Sequence, residues 1–117
     1  MAEELSKDMI ENVYEAIEIA KTTGKIRKGT NETTKAIEKG EAKLAVVAKD
    51  VTPPEIVMHI PLISEEKCII CVQVPSKEEL GAAAGISVGT SSVAIVQEGE
   101  AKELIKKISQ QLKPKAE

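Results

Sequence analysis

The segment Gly29-Thr30-Asn31-Glu32-Thr33-Thr34-Lys35 carries the most chemically suggestive residues of this 117-residue chain. On a helix starting near Asn31, positions 31, 35 and 39 recur at i, i+4 and i+8 and stack on one face. That face shows Asn31, Lys35 and Lys39 in a row, with Glu32 beside them and Ala36 and Ile37 free to point inward. Lys25, Arg27 and Lys28 arrive just before the helix, whose first amides add a partial positive charge. Lysines and free amides hold phosphates, while an Asn amide and a Glu carboxylate read base edges, so the set suits a structured nucleic acid. Guanine in particular offers N1–H and exocyclic amine donors, for which a carboxylate is the natural acceptor. The same residues also describe a plain capped helix, with an acid in its first turn and solvated lysines behind.

Other groups with reactive potential are less promising. Cys68-Ile69-Ile70-Cys71 is formally a C-x-x-C, but redox pairs of this kind open a helix and zinc sites need two more ligands. Here the pair is expected in a strand, where the spacing points the two thiols to opposite faces as ordinary buried groups. His59 is the only histidine and sits among Ile and Met, which fits packing better than general-base or metal-ligand work. Glycines 81, 85 and 89 match neither G-x-G-x-x-G nor a P-loop. No motif supports catalysis, and no metal or cofactor is expected.

Composition narrows the field further. The only aromatic residue is Tyr14, with no Phe and no Trp, so the base-stacking platform of single-strand binders is missing. Two cysteines make no disulfide framework, which suggests a reducing compartment. The acidic, amphipathic start MAEELSKDMIE is wrong for a signal peptide, and the uncharged run from Leu80 to Gln97 is broken by glycines and hydroxyls, a poor membrane span. A soluble, cytoplasmic protein without membrane contact is expected. The net charge of −3 hides a pattern: residues 1–20 carry −5, 21–49 carry +5, 50–100 carry −6 and 101–117 carry +3. A basic segment on an acidic chain is compatible with a local patch.

The elements that must position these groups are legible in outline. An amphipathic helix is expected over 5–22, with Ile10, Val13, Ile17 and Ala20 on one side and Gly24 as its stop. Ile26–Lys28 can be a short strand or connector. Thr30 or Asn31 then caps a helix to about Lys39, closed by Gly40. LAVVA at 44–48 reads as a strand covered on both faces. A capping box, with Thr52 as cap, Pro53 and Glu55, opens a helix carrying Ile56, Val57 and Ile60 that should break or kink at Pro61. Cys68–Val74 reads as a strand, and Ser76 with Glu79 opens a helix through Ala84 that Gly85 closes. Val93–Val96 is a further strand. After Gly99 a last helix shows a stripe of Ala101, Leu104, Ile105, Ile108 and Leu112, ended by Pro114. The alternation from residue 44 predicts one domain over 1–117 (core about 5–112, a frayed tail beyond): a three-layer α/β/α sandwich around a small mixed, largely parallel sheet.

Three blocks, GKIRKGTNETTKAIEKG, DVTPPEIVMHIPLISEEK and VPSKEELGAAAGISVG, closely resemble the archaeal kink-turn-binding ribosomal protein, the L-seven-Ae family. The match keeps its order from about residue 10 to residue 112. The resemblance implies an α/β/α sandwich that binds kink-turn RNA, a helix–bulge–helix motif with tandem sheared G·A pairs. It also implies places in the large ribosomal subunit, in box C/D and H/ACA guide particles and in archaeal RNase P. The implied protein partners are the Nop-domain scaffold protein and fibrillarin, and a free monomer is the simplest expectation. Carried over by position, Asn31 and Glu32 would contact the guanines, Lys28, Gly29, Lys35 and Lys39 would fit the phosphate and backbone contacts, and Thr30 counts among the RNA-binding residues. Ile56 and the loop Ile86-Ser87-Val88 would cover the bulge nucleotides. Ser87 stands where many archaeal members carry Glu. The competing readings are a purely structural ribosomal protein and, from a different class, a small α/β enzyme using Cys68 or His59.

Overall fold

The computed structural model describes residues 7–51 and 55–111. Helix α1 (Lys7–Thr23) leads into strand β1 (Lys25–Lys28), followed by α2 (Thr30–Glu38), β2 (Leu44–Ala48), α3 (Glu55–Glu66), β3 (Cys71–Val74), α4 (Lys77–Ala83), β4 (Ser92–Gln97) and, after a 3-10 turn at Gly99–Ala101, α5 (Lys102–Gln111). The amphipathic spacing of α1 buries Met9, Val13, Ala16, Ile17 and Ala20. Strand β2 is buried at every residue, as an apolar run without alternation requires. Helices α1, α4 and α5 pack together on one side of the sheet, and α2 and α3 on the other. The expected three layers are therefore present. Between them lies one continuous core of Ile, Val, Leu and Ala side chains, where each fully buried Ile or Leu contributes roughly 1.5–3 kcal/mol. Among the described residues, no helix is long and apolar enough to cross a membrane.

The sheet is mixed, in the order β1-β4-β2-β3, but it is not largely parallel. Only β2 and β3 pair in parallel; β4 runs antiparallel to both β1 and β2. The reason lies in the connection after α4. The chain turns at Gly85 and climbs back along α4, so that the Thr90 amide donates to the Lys77 carbonyl at the helix start. It re-enters the sheet at the end where β3 left it, and an alternating strand–helix order thereby yields a hairpin-like return instead of a crossover.

Several local expectations hold. The Ser76 hydroxyl accepts a hydrogen bond from the Glu79 amide at 3.2 Å. Gly40 and Gly85 each end a helix with a positive φ and a paired set of closing hydrogen bonds. Others do not. Helix α3 does not break at Pro61 but runs on to Glu66, with Ile60 and Ser64 on either side of the proline buried against the core. Cys68 is not in a strand: it takes φ 60° and closes α3, with its amide on the Glu65 carbonyl and the Ile69 amide on the Ser64 carbonyl. That closure normally uses glycine. Cys68→Gly is accordingly expected to stabilise the fold by about 0.5–1 kcal/mol, the relief of left-handed strain being partly offset by a more flexible unfolded chain; chemical denaturation of the two proteins side by side checks this. The proposed cap at Thr52 and Pro53, together with Leu5, Leu112 and Pro114, lies outside the described residues.

Candidate nucleic-acid interface

One end of the sheet gathers the segments that the sequence singles out. Strands β1 and β2 finish there at Lys28 and Ala48, opposite Val93 and next to Ser92 at the start of β4, and β3 finishes beside them at Val74. A single residue, Gly29, passes the chain from β1 into α2. Its backbone sits at φ 95° and ψ 161°, a conformation essentially closed to residues with a side chain, while a Cβ there would meet nothing within 4 Å. The conformation thus leaves bare backbone facing open space, where a ligand can approach closely. The Gly29 amide donates to the Ser92 carbonyl at 2.8 Å, and the Gly29 carbonyl accepts from Thr33 at 2.9 Å.

Gly29 itself is the N-cap of α2, and no side chain seals that end. Neither Thr30 nor Asn31 caps the helix, contrary to the reading of the sequence. Thr30 is the first helical residue, and its hydroxyl instead shares a hydrogen bond with the Ser91 hydroxyl at 2.5 Å. The first turn therefore keeps amides available and a positive end for an anion. Asn31, Glu32 and Lys35 stand exposed around it and Lys28 is exposed just before it, whereas Thr33, Ala36 and Ile37 are buried beneath. Lys39, also exposed, is the residue that ends α2, about 12 Å along the axis from Asn31 at 1.5 Å per residue. Asn31, Glu32 and Lys35 thus form a compact group, and Lys39 an outlying one.

The loop before β4 flanks this helix end. Ser87 and Gly89 are exposed, and Val88, at 67% exposure, is among the most exposed large apolar residues described. Ile86 is different: it is half-buried and packs on the core, so it anchors the loop and leaves the outward apolar surface to Val88. Gly81 on α4 makes room for this course, since a Cβ there would lie 2.3 Å from the Val88 carbonyl oxygen. On the other flank, α3 packs against α2, and His59 Nε2 shares a 2.8 Å hydrogen bond with Thr34 Oγ1. Ile56 belongs to α3 three residues before His59; its side chain lies outside the described residues.

Reasoning from the sequence missed Ser91, 61 residues from its partner Thr30, because no local spacing announces a contact of that range. It also missed Asp50, whose carboxylate Oδ1 accepts from the Lys77 amide at 2.8 Å.

Of the two groups considered for catalysis, Cys68 is an exposed free thiol, not the buried one expected, because it sits at the turn that closes α3, and His59 is engaged by Thr34. Burial pushes the Cys71 thiol up to about 12, a pull that the neighbouring Ser64 hydroxyl only partly offsets, so the thiol stays protonated at neutral pH. His59 ties two helices together. Burial, reinforced by Glu79, likewise raises the Tyr14 hydroxyl to about 12, where its proton reaches toward the Ser76 carbonyl at 3.5 Å. Among the described residues, no cluster of three or more His, Cys, Asp or Glu could hold a metal ion.

A surface that joins an open helix end, a carboxylate beside an amide, flanking lysines and an exposed valine can bind a polyanion and test the edges of its bases. The comparisons with known proteins point the same way. The model of the ribosomal protein L7Ae/L30e/S12e/Gadd45 family matches residues 11–105. Among solved structures, the chain is similar to one described as Giardia lamblia 15.5kD RNA binding protein. The TM-score is 0.88, with 28% identity over 92% of this chain and 90% of that one.

Proposed function

Because this chain belongs to the ribosomal protein L7Ae/L30e/S12e/Gadd45 family, we propose that it is a non-catalytic RNA-binding protein that recognises and stabilises kink-turns through the open end of α2. The observation that carries this reading is the unsealed first turn of α2, with Asn31 and Glu32 exposed on it and the apolar loop at Val88 alongside. In this reading Glu32 accepts from the N1–H and amine of a guanine in a sheared G·A pair, and Asn31 pairs with a neighbouring base edge. Lys28 and Lys35 hold phosphates, Lys39 reaches the backbone farther along, and Gly29 lets the sugar–phosphate chain lie against bare backbone. Val88 covers an unstacked bulge nucleotide, with Ile86 fixing the loop beneath. Since the kinked RNA is bound better than the extended one, the protein shifts the RNA's own equilibrium towards the kink.

The settings that follow are the large ribosomal subunit, box C/D and H/ACA guide particles and RNase P, in the cytoplasm. The protein binds RNA there as a monomer and nucleates assembly, with the Nop-domain scaffold protein and fibrillarin joining in box C/D particles. The missing aromatics support recognition of a folded RNA shape over stacked single strands.

The test is a titration against a short kink-turn RNA and against the same RNA with its G·A pairs changed to Watson–Crick pairs, each at two salt concentrations. Tight binding to the first with a large loss on the second is the expected outcome. Equal, strongly salt-dependent binding to both would reduce the site to a basic patch. In the same series, Lys35→Ala should weaken all RNAs to a similar extent and lower the salt slope by about one; a slope identical to that of the unmodified protein would remove its phosphate contact.

A further inference from the structure

We infer that Asp50 is a positioning residue that sets the bulge-covering loop through the first turn of α4. The inference rests on the proposed function for its meaning and on hydrogen bonds for its mechanism. Asp50 follows β2 directly, and its Oδ1 accepts from the Lys77 amide at 2.8 Å. The carbonyl of that same Lys77 accepts from the Thr90 amide at 3.1 Å. One residue therefore connects the carboxylate to the end of the loop. The Thr90 hydroxyl then donates to the Ser92 carbonyl at 3.2 Å, the acceptor that also holds the Gly29 amide at the start of α2.

The loop is also held at its two ends, where Ile86 packs on the core and Ser91 bonds to Ala48 and Thr30. At its beginning the Ile86 amide donates to the Gly81 carbonyl, and in the middle the Val88 carbonyl lies against Gly81 on α4. Both contacts are again to α4. Between those ends the loop lies along α4, and the first turn of α4 is held by Asp50 from outside the helix and by Ser76 from within it. Freeing the Lys77 amide loosens the turn that carries the Thr90 anchor. An RNA that needs the loop in place then meets a smaller competent population, and its apparent affinity falls by that fraction.

Three proteins separate the outcomes: the unmodified chain, Asp50→Ala, and Asp50→Asn, which keeps an acceptor oxygen. Hydrogen exchange of the Thr90 amide in the free proteins should be faster in Asp50→Ala and close to normal in Asp50→Asn. Against kink-turn RNA, Asp50→Ala should lose about tenfold in affinity and Asp50→Asn should recover most of it. Against the same RNA with abasic bulge positions, all three should bind alike, and the preference for G·A over Watson–Crick pairs should persist in each. An unchanged Thr90 amide in Asp50→Ala, or an equal loss on intact and abasic-bulge RNA, overturns the inference. If the unmodified chain ignores the G·A pairs while the Thr90 amide still responds to Asp50→Ala, the proposed function falls and the mechanical link remains.

Discussion

Glu32→Ala should weaken binding to a kink-turn RNA by about 1–3 kcal/mol and abolish most of its preference for sheared G·A pairs. The sign is the informative part. Glu32 is an exposed acid on a surface that also carries Lys28 and Lys35, so on electrostatic grounds alone its removal should tighten binding to any polyanion. A loss of affinity beyond the cost to the helix means that the carboxylate accepts hydrogen bonds from the RNA, because a guanine edge facing an alanine leaves two donors unpaired. Glu32→Gln sharpens the test: it keeps the shape but sets an amide NH2 against a donor, and should behave like alanine. Removing an acid from the first turn also costs the helix roughly 0.3–1 kcal/mol, which thermal unfolding without RNA measures separately. Asn31→Ala should move in the same direction, whereas tighter binding by either alanine variant would mean that these residues are solvated helix surface.

The second large effect lies at the opposite end of the sheet and should leave specificity alone. Gly24 joins α1 to β1, and a Cβ there would lie 2.0 Å from the Gln97 carbonyl oxygen and 2.9 Å from the Gly99 amide nitrogen. Both neighbours are backbone, so neither can rotate away. The exit of β4 and the following 3-10 turn would have to move off α1, where the Thr23 hydroxyl donates to the Ile19 carbonyl at 2.7 Å and accepts from the Glu100 amide at 2.9 Å. Gly24→Ala should cost about 3 kcal/mol of stability, at the upper end of what overpacking does. Denaturant titration reads the loss, and the remaining folded molecules should bind G·A and Watson–Crick forms of the RNA in the same ratio as the unmodified protein. A change below about 0.5 kcal/mol, the scale of an ordinary surface substitution, would show that this junction opens freely.

Where structure depends on neighbours in sequence, the chain was readable. The amphipathic spacing of α1, the apolar run of β2, the Ser76 cap and the glycines at 40 and 85 are each decided within a few residues. So was the exposed group Asn31, Glu32 and Lys35, because helical spacing fixes which side chains leave the core. Distant partners decided the rest. Pro61 does not stop α3, whose Ile60 and Ser64 are buried against the core; Cys68 takes a glycine's conformation because the chain must turn toward β3. Thr30 does not cap α2, since Ser91 claims its hydroxyl, and Ile86 packs inward because the loop needs an anchor. The antiparallel course of β4 was equally hidden, as it depends on a loop climbing back along α4.

That last strand has a consequence for the order in which the molecule can be made. Among the described residues, β4 is the last strand in sequence, yet it lies between β1 and β2 and is the only partner β1 has in the sheet. The Gly29 amide also waits for the Ser92 carbonyl. During synthesis, the residues that would read the RNA are therefore made about sixty residues before the strand that sets them in place, with Gly29 waiting for Ser92. A basic segment that could otherwise catch any passing nucleic acid would thus gain a selective surface only once β4 has docked between β1 and β2.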